Sequence, residues 1–142
     1  MILYLDTSSL VKLYVEETGS DLVQDWVRKA ETVSTCRVAY PETISAFYRR
    51  FNSGDLSEKD YSLLLKRFSQ EWGNFAALDF DEIEAGRLVK KHGLRGFDAI
   101  HLSSAKFLQS ADTSISLSFS SFDKKLNDAA SAEGLSVLSL VN

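Results

Sequence analysis

Cysteine occurs once in this chain, proline once and histidine twice. The single thiol, Cys36, excludes an internal disulfide, and with so few partners no sulfur-and-imidazole zinc arrangement can be built. Lying in an apolar segment, Cys36 reads as a buried structural thiol rather than a nucleophile. No Pro/Gly/Ser linker and no internal period interrupts the 142 residues, so they read as one domain spanning 1–142. No run approaches the roughly 20 apolar residues that span a bilayer, and the N-terminus lacks a basic region with a small-residue cleavage site. The expectation is a cytoplasmic protein without a membrane segment. A net charge of −4 argues against a general polyanion-binding surface, but leaves room for a local basic patch beside an acidic site.

What is present is a regular alternation. At 44% hydrophobic and 25% charged, the composition suits a globular chain with a sizeable core. Short β-branched or aromatic runs predict strands at Ile2–Leu5, Thr32–Cys36, Asn74–Leu78, Ile115–Phe119 and Ser136–Leu138. Between them, Leu22, Val23, Trp26, Val27 and Ala30 fall at helical spacing, as do Tyr40, Ile44, Phe47, Tyr48 and Phe51. Tyr61, Leu64, Leu65, Phe68 and Trp72 repeat the pattern behind a capping pair, Ser57 and Asp60. Strands alternating with helices predict an α/β fold with a mostly parallel sheet. In such folds sites form beyond the carboxyl ends of the strands.

Four acids belong to that edge. Asp6 follows the first strand, and Glu42 lies in the first turn of a helix that Pro41 is expected to open at its first position. Asp98 follows the loop HGLRG and opens a charge-poor helix, DAIHLSSAKFL; Asp123 leaves the fourth strand in FSSFDKKL. Each alone is explained by capping, which contributes about 1 kcal/mol. Asp79 is expected to be such a cap and nothing more, with Glu82 three residues on. Together the four acids repel one another and resist ionisation, a conflict that a hard divalent cation such as Mg²⁺ or Mn²⁺ removes. His92 is expected to cap a helix C-terminus, and His101, one turn after Asp98, to pack or hydrogen-bond rather than ligate. Arg49 shares a helix face with Glu42 but roughly 10 Å along it, too far to neutralise it directly; it is expected either to meet a backbone phosphate or to be a solvated surface arginine. Lys12, Arg95, Lys124 and Lys125 form a candidate basic rim.

Four segments, LDTSSLVKLY, PETISAFYRR, RGFDAIHLSSA and SSFDKKLNDAASAEGL, resemble the PIN domain family, and most closely the ribonuclease toxins of the VapBC type. The resemblance implies a three-layer α/β/α sandwich around a five-stranded sheet, with Asp6, Glu42, Asp98 and Asp123 as the catalytic acids. Asp6, Asp98 and Asp123 would ligate Mg²⁺ or Mn²⁺, and Glu42 would bind a second ion or orient the attacking water. Ser8 and Ser121 would orient carboxylates or waters, leaving Thr7 and Ser9 more of the capping. RNA would be cut by a metal-activated water to give a 5′-phosphate. A homodimer and a VapB-like antitoxin are the implied partners, with residues 38–72 as the expected contact region.

Two rival readings remain beside this one. An aspartyl-phosphate phosphohydrolase also begins with an aspartate after its first strand, but such enzymes resemble D-x-D-x-T there and this chain has Ser8 at the second acid. A PIN-like scaffold that binds RNA or protein without cutting would be expected to have lost at least one of the four acids.

Overall fold

The computed structural model describes residues 1–138 and 140. Strands β1 (Ile2–Leu5), β2 (Thr32–Cys36), β3 (Ala76–Leu78), β4 (Leu117–Ser120) and β5 (Ser136–Val137) form one sheet in the order β3-β2-β1-β4-β5. Every pairing is parallel, as the alternating pattern predicts. Helices α1 (Thr7–Val11), α2 (Ser20–Lys29), α3 (Ala39–Asn52) and α4 (Glu58–Glu71) precede β3 in the chain. Helices α5 (Glu82–His92), α6 (Gly96–Ala111) and α7 (Lys124–Ala132) follow it.

Side-chain alternation along the central strand builds two cores. Leu3 and Leu5 of β1 pack with Leu10, Val23, Phe47 and Phe68 of α1–α4. Tyr4 points the other way, into a core with Leu88, Leu102, Phe119 and Leu126, which belongs to α5–α7 and β4. Tyr4 and Phe119 are register partners and stack with centroids 5.6 Å apart. This register explains the serines of β4, which are unusual in a central parallel strand. Leu117 and Phe119 fill the α5–α7 core, whereas Ser120 meets α1, its Oγ 2.8 Å from the Ser9 hydroxyl. A small hydroxyl there lets the short helix sit close to the sheet.

Several boundaries differ from the expectation, each for a local reason. β3 starts at Ala76 rather than Asn74 because Trp72–Asn74 forms a 3₁₀ turn, closed by the Phe75 N–H on the Trp72 carbonyl at 3.1 Å. β4 is Leu117–Ser120 rather than Ile115–Phe119, since the Ile115 N–H turns back to the Asp112 carbonyl. β5 ends at Val137, one residue short. Pro41 is the third residue of α3, not the first; it is still in the turn whose N–H groups have no helical acceptor, so its missing donor costs nothing. Asp79 is not a cap. Asp81 caps α5, accepting from the Ile83 and Glu84 N–H groups at 2.8 and 3.2 Å, while Asp79 pairs with Arg37 at 2.9 Å. Ser57 caps α4 by accepting from the Asp60 N–H, as expected. Among the described residues no helix is long and apolar enough to cross a membrane.

Candidate active site

The carboxyl edge of the sheet opens into a cleft of ≈ 740 Å³ whose lining includes Asp6, Glu42, Asp98 and Asp123. Each acid comes from a different place. Asp6 is the residue after β1 and caps α1, and its own N–H is held by the Ser120 carbonyl at 3.1 Å. Glu42 is in the first turn of α3, Asp98 in the first turn of α6, and Asp123 caps α7 through the Leu126 N–H at 2.9 Å. The four are thus fixed by helix starts that point at a common hollow, where the backbone favours negative charge.

Ser8 joins two of these elements. Its hydroxyl donates to Asp6 Oδ1 at 2.7 Å and accepts from the Phe122 N–H at 3.0 Å, tying β1's aspartate to the loop after β4. Asp6 Oδ1 also receives the Ser9 N–H at 2.9 Å, so Asp6 itself does the capping that Thr7 and Ser9 were expected to share. The buried Ser121 hydroxyl accepts from the Asp123 N–H at 3.0 Å and so fixes the backbone that carries this acid.

Glu42 sits in a hydrogen-bonded chain that runs into the core. The Thr7 hydroxyl donates to Glu42 Oε1 at 2.6 Å, and His101 Nε2 lies 3.0 Å from the same oxygen and 2.9 Å from the Thr7 oxygen. On its other side, His101 Nδ1 is 2.9 Å from the Tyr4 hydroxyl. Burial pushes the Tyr4 phenol well above its usual range. The Glu42 carboxylate can only accept, so the ring nitrogen that faces it, Nε2, carries a proton. Burial alone would raise the Glu42 carboxyl; the hydrogen bonds from His101 and Thr7 outweigh it and hold the group below the usual glutamate range. The chain keeps Glu42 ionised and fixed in direction. Sequence reasoning placed His101 beside Asp98 and correctly assigned it to hydrogen bonding. It missed that the acceptor is Glu42, 59 residues away, because nothing local signals that pairing.

The three aspartates are less well neutralised. Burial lifts Asp98 above the usual aspartate range; Arg95 pulls it back, and the charges of Asp123 and Asp6 lift it again. Arg95 donates from Nε to Asp98 at 3.0 Å and from Nη2 to Asp123 at 3.4 Å, with its side chain 78% exposed. Among the described residues no three His, Cys, Asp or Glu side chains already form a cage for an ion. The donor set nonetheless fits a Mg²⁺-like cation, which keeps several waters and takes one or two carboxylates plus substrate oxygens rather than a full protein cage. Asp6, Asp98 and Asp123 would supply those oxygens.

The rest of the expected basic rim divides. Arg49 lines the cleft, its Nη1 donating to Ser45 Oγ at 2.9 Å. Lys12 also lines the cleft, where it is paired with Glu17 at 2.9 Å and lies 4.4 Å over the Phe122 ring. Lys124 pairs with Asp128 at 2.7 Å, and Lys125 lies beside Gly93; neither lines the cleft. Arg50, which the sequence did not single out, lines the cleft and pairs with Glu17.

Residues 3–132 match the PIN domain family. Over 139 residues the chain is 31% identical to ribonuclease VapC45 and, equally, to ribonuclease VapC49, both of Mycobacterium tuberculosis, covering 96% of this chain and 94% of each relative. Its fold is similar to that of PAE2754 from Pyrobaculum aerophilum, with a TM-score of 0.67 at 17% identity over 96% of this chain and 92% of the other. It is also similar to FitAcB from Neisseria gonorrhoeae, with a TM-score of 0.66 at 20% identity over 98% and 97%. The chain belongs to the PIN domain family and is a VapC-type member of it.

Proposed function

We propose that this protein is a divalent-metal-dependent endoribonuclease, with Mg²⁺ or Mn²⁺ as the ion, and the toxin of a VapBC-type pair. The observation that carries the reading is the convergence of four carboxylates from four separate elements on one cleft, two of them, Asp98 and Asp123, sharing a single exposed counter-cation, Arg95. The family and the ribonuclease names of its relatives support RNA as the substrate. A bound ion would supply an activated water and stabilise charge developing on the phosphate. The chain's own part is to hold and orient. Asp6, locked by Ser8 and the Ser9 N–H, and Asp98, locked by its helix start, present oxygens towards the ion, and Asp123 adds a third. Glu42, kept ionised by Thr7 and His101, accepts a hydrogen bond from the attacking water. Arg49 and Arg95 face the phosphate backbone. The Ser8 hydroxyl is held between Asp6 and the Phe122 N–H, the Ser121 hydroxyl accepts from the Asp123 N–H, and among the described residues no histidine bonds to either, so a serine nucleophile is not part of the reading.

Under this proposal the protein is a cytoplasmic homodimer restrained by a VapB-like antitoxin. Exposed Tyr48 on α3 and Leu63 on α4 support an interface on that helix pair. Incubating the purified protein with total RNA and Mn²⁺ or Mg²⁺, with and without chelator, tests the activity. The expected result is chelator-sensitive cleavage leaving 5′-phosphates, lost in Asp6→Asn. Chelator-resistant cleavage, or none across many RNAs, overturns it; hydrolysis of a small phosphomonoester in its place would revive the phosphohydrolase reading.

A further inference from the structure

Phe97 stands directly before Asp98 in the first turn of α6, and its ring is 56% exposed. Single exposed apolar residues are ordinary, and Ile83 and Phe107 are two others here. Phe97 differs in position. It lines the carboxylate cleft and also a second hollow of ≈ 320 Å³, completed by Thr7, Pro41, Glu42, Ser45 and Arg49. The two hollows share Thr7, Glu42, Arg49 and Phe97, so the smaller is a side bay of the larger. Its walls are a flat aromatic ring, a proline, a guanidinium, two hydroxyls and the Glu42 carboxylate. Ser45 Oγ accepts from Arg49, which leaves the hydroxyl proton for another acceptor.

We propose that this bay is a nucleobase subsite: the base of an unpaired nucleotide next to the cleaved phosphodiester stacks on Phe97, with Arg49 on its other side and Ser45 donating to its edge. The inference rests on the endoribonuclease reading and refines it, because a base held there must have left its helix. Aromatic rings and arginine planes are the surfaces on which proteins hold splayed bases, tolerantly of sequence because every base has a π-face. Charge agrees: Arg49 and Arg95 supply the cations near the bay that a flanking phosphate needs, and the phosphate site and the bay are continuous.

Binding in a cleavage-blocked Asp6→Asn background tests this, with short oligoadenylate, and an abasic ribose-phosphate strand of equal length, as probes. Asparagine preserves the cap at residue 6. Phe97→Ala is expected to weaken oligoadenylate binding by roughly 5- to 100-fold and to leave the abasic strand unaffected, while Phe97→Trp restores the affinity for oligoadenylate. Equal losses on both strands, or no loss on either, overturn the subsite while leaving the nuclease reading intact. If neither strand binds the Phe97-containing parent and total RNA is not cut by wild type, the nuclease reading falls with it. Undiminished RNA binding by Phe97→Ala, with loss of neutralisation by a co-expressed partner polypeptide, would assign the bay to that partner instead.

Discussion

Glu133 and Asp98 are both largely buried carboxylates, with side chains 5% and 16% exposed, and their surroundings are opposite. Glu133, at the end of α7, receives Lys106 at 2.6 Å, Lys91 at 2.7 Å, His92 at 2.8 Å and Arg87 at 3.3 Å. Its neighbour Glu84 shares two of those cations, Arg87 at 2.9 Å and Lys106 at 3.0 Å. Hydrogen bonds from Lys106 and Lys91 hold Glu133 far below the usual glutamate range, and Arg87 with Lys106 brings Glu84 down to about 2. Asp98 has one cation, Arg95, which it shares with Asp123, and its carboxyl is pushed up. The first cluster joins α5, α6 and α7 and is complete. The second is short of positive charge. A deficit held in place by caps and hydrogen bonds marks a site that functions with something bound, whereas a surplus marks a fastener.

The contrast predicts which substitutions affect activity and which affect stability. The largest effect belongs to the deficient cluster: Asp6→Asn or Asp98→Asn should lower RNA cleavage by more than about 100-fold with the fold retained, read by single-turnover kinetics and circular dichroism. Retained metal-dependent activity in Asp98→Asn would break the comparison at once. Next, Glu133→Gln should cost about 2 kcal/mol at neutral pH with activity per folded molecule unchanged, measured by urea unfolding. The sign with pH follows from the lowered folded-state value of Glu133: this stabilisation is present above the ordinary glutamate value of 4.5 and is lost as pH falls well below it. The gap in stability between wild type and Glu133→Gln should therefore close over that window. A gap independent of pH would show that the cluster holds by packing rather than charge.

Smaller and more specific is the chain behind Glu42. His101→Asn, which leaves no donor at the Nε2 position, should lower kcat about tenfold with KM unchanged, and His101→Gln, which keeps that donor, should retain most of it. Equal losses in both would reduce His101 to packing. Smallest of all, Asp98→Asn should raise Tm by on the order of a degree or two, since its charged form is disfavoured in the fold, and added Mn²⁺ should then stabilise wild type more than the variant. A fall in Tm would mean that the Arg95 pair outweighs the burial and repulsion acting on Asp98.

Much of this was legible in the sequence because the signals are local. Ile2–Leu5 and Thr32–Cys36 are strands with the expected bounds, the first a short apolar run and the second a short run rich in β-branched residues, each ended by a charged residue. Asp6, Glu42 and Asp123 meet at one edge because a parallel sheet sends every strand exit there; Asp98 follows α5 rather than a strand and reaches the same edge through the start of α6. What stayed hidden depends on contacts between distant residues or on a choice between near-equal neighbours. Asp79 and Asp81 both precede a helical pattern; the helix starts at Glu82, so only Asp81 is adjacent to the free N–H groups. Arg95 read as one rim cation among several, and only the meeting of α6 with the start of α7 puts it against both Asp98 and Asp123. Tyr4 looked like core, which it is, yet its hydroxyl reaches His101, 97 residues on.

The position of β1 at the centre of the sheet has a consequence for timing. Its neighbours are β2 on one side and β4 on the other, and Asp6 is tied to Ser120 through its backbone and to Phe122 through Ser8. The first acid made is held locally by Ser8 and the Ser9 N–H, but it is tied to the rest of the pocket by residues more than a hundred positions later. A nascent chain on the ribosome cannot assemble the pocket until Asp123 has left the exit tunnel, so the four acids come together in one late folding event rather than one after another.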